Sequence, residues 1–141
     1  MKINSNEYFN EKIKKTFTIK VVKDINDKKS MLEYFKKFRL SKHNNKSLGL
    51  DFEFNSSPEG KKIALFQINL ESDDENAMIY LFYPPDLDKN EIIELKDLLI
   101  DTNIKKILHG AEALDIPYLF KNIFVTNKNR NLFCKNLFDT R

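Results

Sequence analysis

The sequence predicts an α/β domain, a mixed sheet with helices packed on it, and three observations carry that reading. Stretches of alternating apolar and polar residues stand beside stretches whose apolar residues recur at helical spacing. Two of the alternating stretches are joined by a connection short enough to fold back as a hairpin. After a third strand the order becomes helix, strand, helix, strand, which adds parallel strands to an antiparallel start. With 141 residues, 41% hydrophobic and 32% charged, the chain suits one soluble globular domain with its own core.

Taken in order, residues 1 to about 15 are polar and expected to be loose. "TFTIKVV" (16–22) reads as a short strand, and "DKKSMLEYFKKF" (27–38) places Met31, Leu32, Phe35 and Phe38 along one helical face. "SLGLDFEFN" (47–55) alternates as a strand. "NSSPEG" (55–60) is turn chemistry, so "KKIALFQINL" (61–70) returns antiparallel. The acidic "ESDDEN" makes another turn before "MIYLFY" (78–83), whose unbroken apolar run predicts a central strand covered on both faces. "KNEIIELKDLLID" is a helix with Ile92, Leu95, Leu98 and Leu99 inward. "IKKILHG" (104–110) is a strand, "ALDIPYLFKNIF" a helix, and a last strand lies near "NLFDT".

Composition removes several classes of function. No apolar stretch reaches transmembrane length, and "MKINSNEYFNEKIKK" lacks the apolar segment of a secretory signal, so an intracellular location and no membrane partner are expected. The single Cys134 has no cysteine with which to form a disulfide or a zinc site, and reads as a small buried hydrophobe. A net charge of +3 permits nucleic acid as a partner without arguing for it.

Chemistry enters at "LGLDFEF". Strand alternation puts Leu48, Leu50, Phe52 and Phe54 on one face, and Gly49, Asp51, Glu53 and Asn55 on the other. Two carboxylates are therefore neighbours. Either that face is simply the solvated outside of the strand, or the like charges are held together to share a divalent cation. A third acid, Asp115, falls where a helix begins, because Pro117 is tolerated only in a first turn. Alone, it could equally cap that helix and meet the positive end of its dipole.

The order of "LGLDFEF", "KKIALFQIN", "KKILHGAEALDIPYLF" and "NLFDTR" resembles the ribonuclease D type of 3′-5′ exonuclease, a branch of the DEDD superfamily with a ribonuclease H-like fold. The resemblance covers roughly residues 45–141. It implies that Asp51 and Glu53 form the first exonuclease motif and Asp115 the second, and that these residues are catalytic as ligands of two divalent ions, Mg²⁺ or Mn²⁺. The implied substrate is the 3′ end of single-stranded RNA or DNA, released as nucleoside monophosphates.

Two departures accompany the resemblance. "HGAEALD" carries one residue more than relatives would, which keeps Glu112 open as an alternative ligand. The third motif, a Tyr or His four residues before a metal-binding Asp, is absent, since no Tyr in the sequence, nor His43 nor His109, has an Asp four places on. The resemblance therefore implies an exonuclease-like domain over 16–141, incomplete at its C-terminal end. It also implies an apolar sheet face that is left exposed or covered by a further segment or a partner chain. Without its third motif, such a module could instead bind nucleic acid or protein without cutting. Asp139 is expected to cap a following helix rather than bind metal, and His109 to be a hydrogen-bonded histidine of the core or the site edge. Gln67 is expected to make a buried hydrogen bond, and Tyr118 and Phe120 to belong to the core before serving as stacking platforms.

Overall fold

The computed structural model describes residues 6–110 and 114–141. Its strands are β1 (Glu7–Asn10), β2 (Lys15–Val21), β3 (Ser47–Ser57), β4 (Gly60–Glu71), β5 (Asn76–Phe82), β6 (Lys105–Leu108) and β7 (Leu137–Asp139). Its helices are α1 (Ile25–Leu40), α2 (Lys89–Ile100), α3 (Asp115–Asn122) and α4 (Asn127–Cys134). The strands form one sheet in the order β1-β2-β5-β4-β3-β6-β7. β3, β4 and β5 are antiparallel neighbours, whereas β2 joins β5, β6 joins β3, and β7 joins β6 in parallel. This is the mixed α/β sheet expected of a ribonuclease H-like fold.

The helices form because their ends are satisfied as well as their faces. α1 and α2 each open with a reciprocal capping box, Asp24 with Asp27 and Asp88 with Glu91. The ammonium of Lys46 closes α1 by donating to the carbonyls of Phe38, Arg39 and Ser41 at 3.2, 2.9 and 2.8 Å. The hairpin between β3 and β4 is tight. Ser57 pairs with Gly60 across Pro58 and Glu59, and Gly60 takes φ +111°, a conformation that side chains disfavour.

All four helices pack on one face of the sheet. Leu48, Leu50 and Phe52 of β3, Phe66, Ile68 and Leu70 of β4, and Tyr80 and Phe82 of β5 form one core with Met31 and Phe35 of α1, Leu95 and Leu98 of α2, Leu119 of α3 and Phe133 of α4. The opposite face carries no helix among the described residues. Register aligns Ile19 with Ile79 and Val21 with Leu81 across that face, while Ile107 pairs with Phe138 near the far edge. Val21 and Phe138 are about half exposed.

Several expectations are corrected here. Glu7–Asn10, placed in a loose segment, forms β1 as a hairpin with β2, because Tyr8 and Phe9 can pair across to Phe17 and Thr16. β5 is interior but buries only one face deeply, through Tyr80 and Phe82; Ile79 and Leu81 lie on the helix-free side and are half-buried. α4 was not anticipated. Within it Phe133 takes the inward position, which leaves Cys134 exposed instead of buried.

Lys106 is fully buried on β6 and donates to the Asp101 carbonyl at 2.6 Å. Burial pushes its ammonium down to about 8, partly offset by the nearby Asp101 and Cys134. Among the described residues, no helix is long and apolar enough to cross a membrane.

Candidate active site

β3 is the pivot of the site because its two edges are used differently. β4 pairs along its whole length, with Asp51 opposite Gln67 and Glu53 opposite Leu65, and the register shifts immediately after Glu53. On the other edge β6 pairs only with Ser47–Gly49. The second half of β3 therefore runs past the C-terminal end of β6, leaving a notch at the carboxyl ends of the parallel strands, the usual position for a site in such sheets. Asp51 and Glu53 are exposed on the helix-free face, while Leu50 and Phe52 between and beside them are buried, as alternation requires.

Leu108 ends β6, and the chain turns at Gly110 with φ +61°, a conformation available to glycine at little cost. The turn is tied to the end of β7: Asp139 accepts from the Gly110 amide at 2.8 Å and from the Arg141 amide at 3.0 Å. His109 Nδ1 lies 2.9 Å from the Thr140 hydroxyl, and the Thr140 amide donates to the Leu108 carbonyl at 2.9 Å. His109 is thus an exposed, hydrogen-bonded histidine at the site edge. Asp139 braces the turn.

α3 begins at Asp115, with Pro117 in its first turn as the sequence required. Of the capping alternative for Asp115, the dipole half holds, since the residue lies in the first turn of α3, while no side-chain cap forms. The residue preceding the helix is Leu114, and no side chain among the described residues caps this end. The Asp115 carboxyl is raised from 3.8 to about 6, first by its own burial and then by the negative charges of Asp51, Glu53 and Asp139. Residues separated by tens of positions along the chain thus meet in one electrostatic neighbourhood. Glu112, the other acid open for this position, lies outside the described residues.

Beside Asp51 the helix-free face sinks into a shallow cleft of about 380 Å³, bounded by Gly49, Gln67, Asn69, His109 and Thr140. Gln67 lines this cleft half-buried and is not part of the core. The Asn69 amide donates to Glu71 at 3.0 Å, and its shielded carbonyl oxygen has no partner among the described residues. Tyr118 is a core residue as expected, its ring 5.9 Å from Phe52 and 6.0 Å from Phe54, and Phe120 packs against Phe124 and the Arg130 guanidinium.

The donor chemistry suits a hard divalent ion. Four carboxylates face one region, and a cation there would relieve the repulsion that raises Asp115. Among the described residues, no three Asp, Glu, His or Cys side chains are already gathered as a finished cage. The charges act across the notch without the side chains having converged on one point.

The sequence profile of the 3′-5′ exonuclease domain family matches residues 21–141. The chain belongs to the 3′-5′ exonuclease family. Its fold is similar to that of solved ribonuclease D and EXD2 exonuclease domains. RNase D of Trypanosoma brucei, solved with GMP, aligns with a TM-score of 0.56 at 19% identity over 75% of this chain and 30% of that one. The same enzyme solved with the RNA U12 gives 0.53 at 20% identity, over 75% and 34%. The exonuclease domain of EXD2, soaked in Mg and GMP, gives 0.54 at 17% identity over 86% of this chain and 55% of that chain. Uncharacterized protein L533 of Acanthamoeba polyphaga mimivirus is 36% identical over 99 residues, covering 67% of this chain. The chain spans 18% of that viral protein's length.

Proposed function

We propose that residues 16–141 make up a divalent-cation-dependent 3′-5′ exonuclease domain that hydrolyses phosphodiester bonds at nucleic-acid 3′ ends and releases nucleoside monophosphates. What supports this reading is that the negative charges of Asp51 and Glu53, at the open end of β3, act on Asp115 and add to the effect of its burial in raising its proton affinity. Two of the solved structures similar to this chain were obtained with GMP and a third with the RNA U12, which agrees with a nucleotide product and a nucleic-acid substrate.

Asp51, Glu53 and Asp115 would hold Mg²⁺ or Mn²⁺ through carboxylate oxygens, Asp51 and Glu53 from a rigid paired strand and Asp115 from the first turn of α3. When bound, such ions supply charge stabilisation to the attacking and leaving oxygens of an in-line displacement. The chain's own part is placement. β3 fixes two acids on one face, Asp139 braces the turn at Gly110, and His109 sits at the rim, held by Thr140. Asp139 contributes negative charge and a structural tie; its oxygen already accepts two amides.

The helix-free face, with Ile19, Val21, Ile79, Leu81 and Ile107, is the natural seat for one more amphipathic element. An additional carboxylate brought by that element would complete a four-acid set. A second reading, a domain that binds nucleic acid without cutting, is favoured by the absence of a ready cage among the described residues and of a Tyr-x-x-x-Asp or His-x-x-x-Asp in the sequence.

The deciding experiment incubates a 5′-labelled single strand with the protein and Mn²⁺. Progressive shortening from the 3′ end is expected, reduced at least about a hundredfold in Asp51→Ala. Equal degradation by both proteins sinks the catalytic reading, and binding without shortening selects the second.

A further inference from the structure

A second groove, sharing no lining residue with the Asp51 cleft, lies at the hairpin end of β3. It lies between the β3–β4 hairpin, the Tyr83–Pro85 turn and α3, encloses about 440 Å³, and is lined by Lys61, Lys62 and Lys121 together with Phe54, Tyr83 and Tyr118. We propose that this groove is the track for the single-stranded nucleic acid immediately 5′ of the bond being cut. The inference rests on the exonuclease reading for the polarity of the strand, and on the groove itself for the binding.

Position is the first argument. Phe54 follows Glu53 directly, and Leu114 and Pro117 in the groove wall flank Asp115. The groove therefore borders the segments that carry the acids, although Asp51, Glu53 and Asp115 do not themselves line it. Charge is the second. The carboxylate cluster repels a polyanion, and a strand reaching it needs compensating cations nearby. Three lysines and no acid line the groove, in a chain whose net charge is only +3. Lys62 pairs with Glu59 at 3.3 Å, but both side chains are largely exposed, so the pair exchanges for a phosphate at little cost. Lys61 donates to the Ser56 hydroxyl at 2.7 Å, which holds its stem over the groove side of the hairpin.

Aromatic surface is the third argument. Tyr83 is 44% exposed, and Tyr118 is fixed from below by the rings of Phe52 and Phe54. Burial and the neighbouring Tyr83 both raise the Tyr118 hydroxyl, so the two tyrosines face a common space. Rings held rigid beside lysines are the arrangement that takes single strands without sequence preference, bases stacking while phosphates meet the ammonium groups.

The test measures anisotropy of 5′-fluorescein oligo-uridine and oligo-deoxythymidine 12-mers in chelator, across a salt series, for the whole chain. Wild type is expected to bind at least one of the two. Lys61→Ala/Lys62→Ala/Lys121→Ala should lose about ten- to a hundredfold in affinity at low salt, and its log–log salt slope should fall by about 2, the value for three phosphate contacts on a single strand. Tyr83→Ala should weaken binding with the slope unchanged. A control with the same loss of charge elsewhere, Lys12→Ala/Lys14→Ala/Lys20→Ala, should retain the wild-type slope to within about half a contact. Equal losses in both triple variants overturn the track, because net charge alone would then explain binding. A wild type that binds neither oligonucleotide overturns it too and leaves the groove to a protein partner. Asp51-dependent cleavage that the groove variant performs like wild type removes the track and spares the exonuclease reading. Groove-dependent binding without cleavage does the reverse.

Discussion

Asp115 combines two costs, partial burial and three like-charged neighbours, and both vanish when its charge does. Its folded-state value of about 6 lies above the unfolded 3.8, so between these the native state binds the extra proton. Stability contributed by this site therefore falls as pH rises through that window, and the cost is fully present above about 6. Asp115→Asn should raise the melting temperature by a few degrees in chelator at pH 7.5. It should also abolish the rise that Mn²⁺ gives the wild type by linkage. A lower melting point, or an undiminished response to Mn²⁺, would contradict the assignment. Lys106 has the opposite sign. Its value falls to about 8 from 10.5, so the unfolded chain binds more protons in between and stability climbs with pH across that interval, by roughly 3 kcal/mol if the whole difference is realised. Urea midpoints measured from pH 7.5 to 10.5 should rise for the wild type and stay flatter in Lys106→Met. At this scale the sequence was most legible where backbone rules were strict. Alternation located Asp51 and Glu53, and Pro117 located Asp115. The double acceptance by Asp139 was not legible, because it depends on the meeting of two strand ends far apart in the chain.

Elements were legible in proportion to their periodicity. α1 and α2 carry clear apolar faces and were placed to within about two residues, a usual margin for helix ends. α4 escaped because "NKNRNLFC" is mostly polar and buries only Phe133. β1 escaped because four residues in a polar context give no alternation to count; its existence depends on β2 as a template. β5 was misjudged on one face, since an apolar run reports tolerance for burial and not which layers are present. The turn after β6 is the element on which the site depends most. Gly110 sits at φ +61°, and a Cβ there would meet Arg141 Cδ at 3.2 Å. Gly110→Ala should cost about 1–2 kcal/mol, the left-handed penalty of an L-residue. It should also depress Mn²⁺-dependent cleavage more than Asp51-independent strand binding, because it displaces the lead-in to Asp115 and leaves the lysine groove intact. Unchanged cleavage and unchanged melting would mean that the turn relaxes freely.

Across the whole molecule, one-sided packing and the central place of β3 give the acids unequal foundations. β3 is held along one edge by the length of β4 and along part of the other by β6, and it buries Leu48, Leu50 and Phe52 in the main core. α3 is two turns long and makes no strand pairing. Two of the acids are therefore expected to stand on a part of the domain that opens only with global unfolding, and the third on a part that opens alone. A cation bridging them would couple the two regions. In native-state hydrogen exchange, the amides of Leu48–Phe52 should be slow with or without Mn²⁺, whereas those of Ile116 and Tyr118–Asn122 should be fast in chelator and slowed by the metal. Uniform slowing throughout the domain, or none at all, would count against that coupling. Affinity for the ion would then be set less by the carboxylates themselves than by how often the short helix is docked, making α3 the place where a bound strand, or an added element on the bare face, could tune the chemistry from a distance.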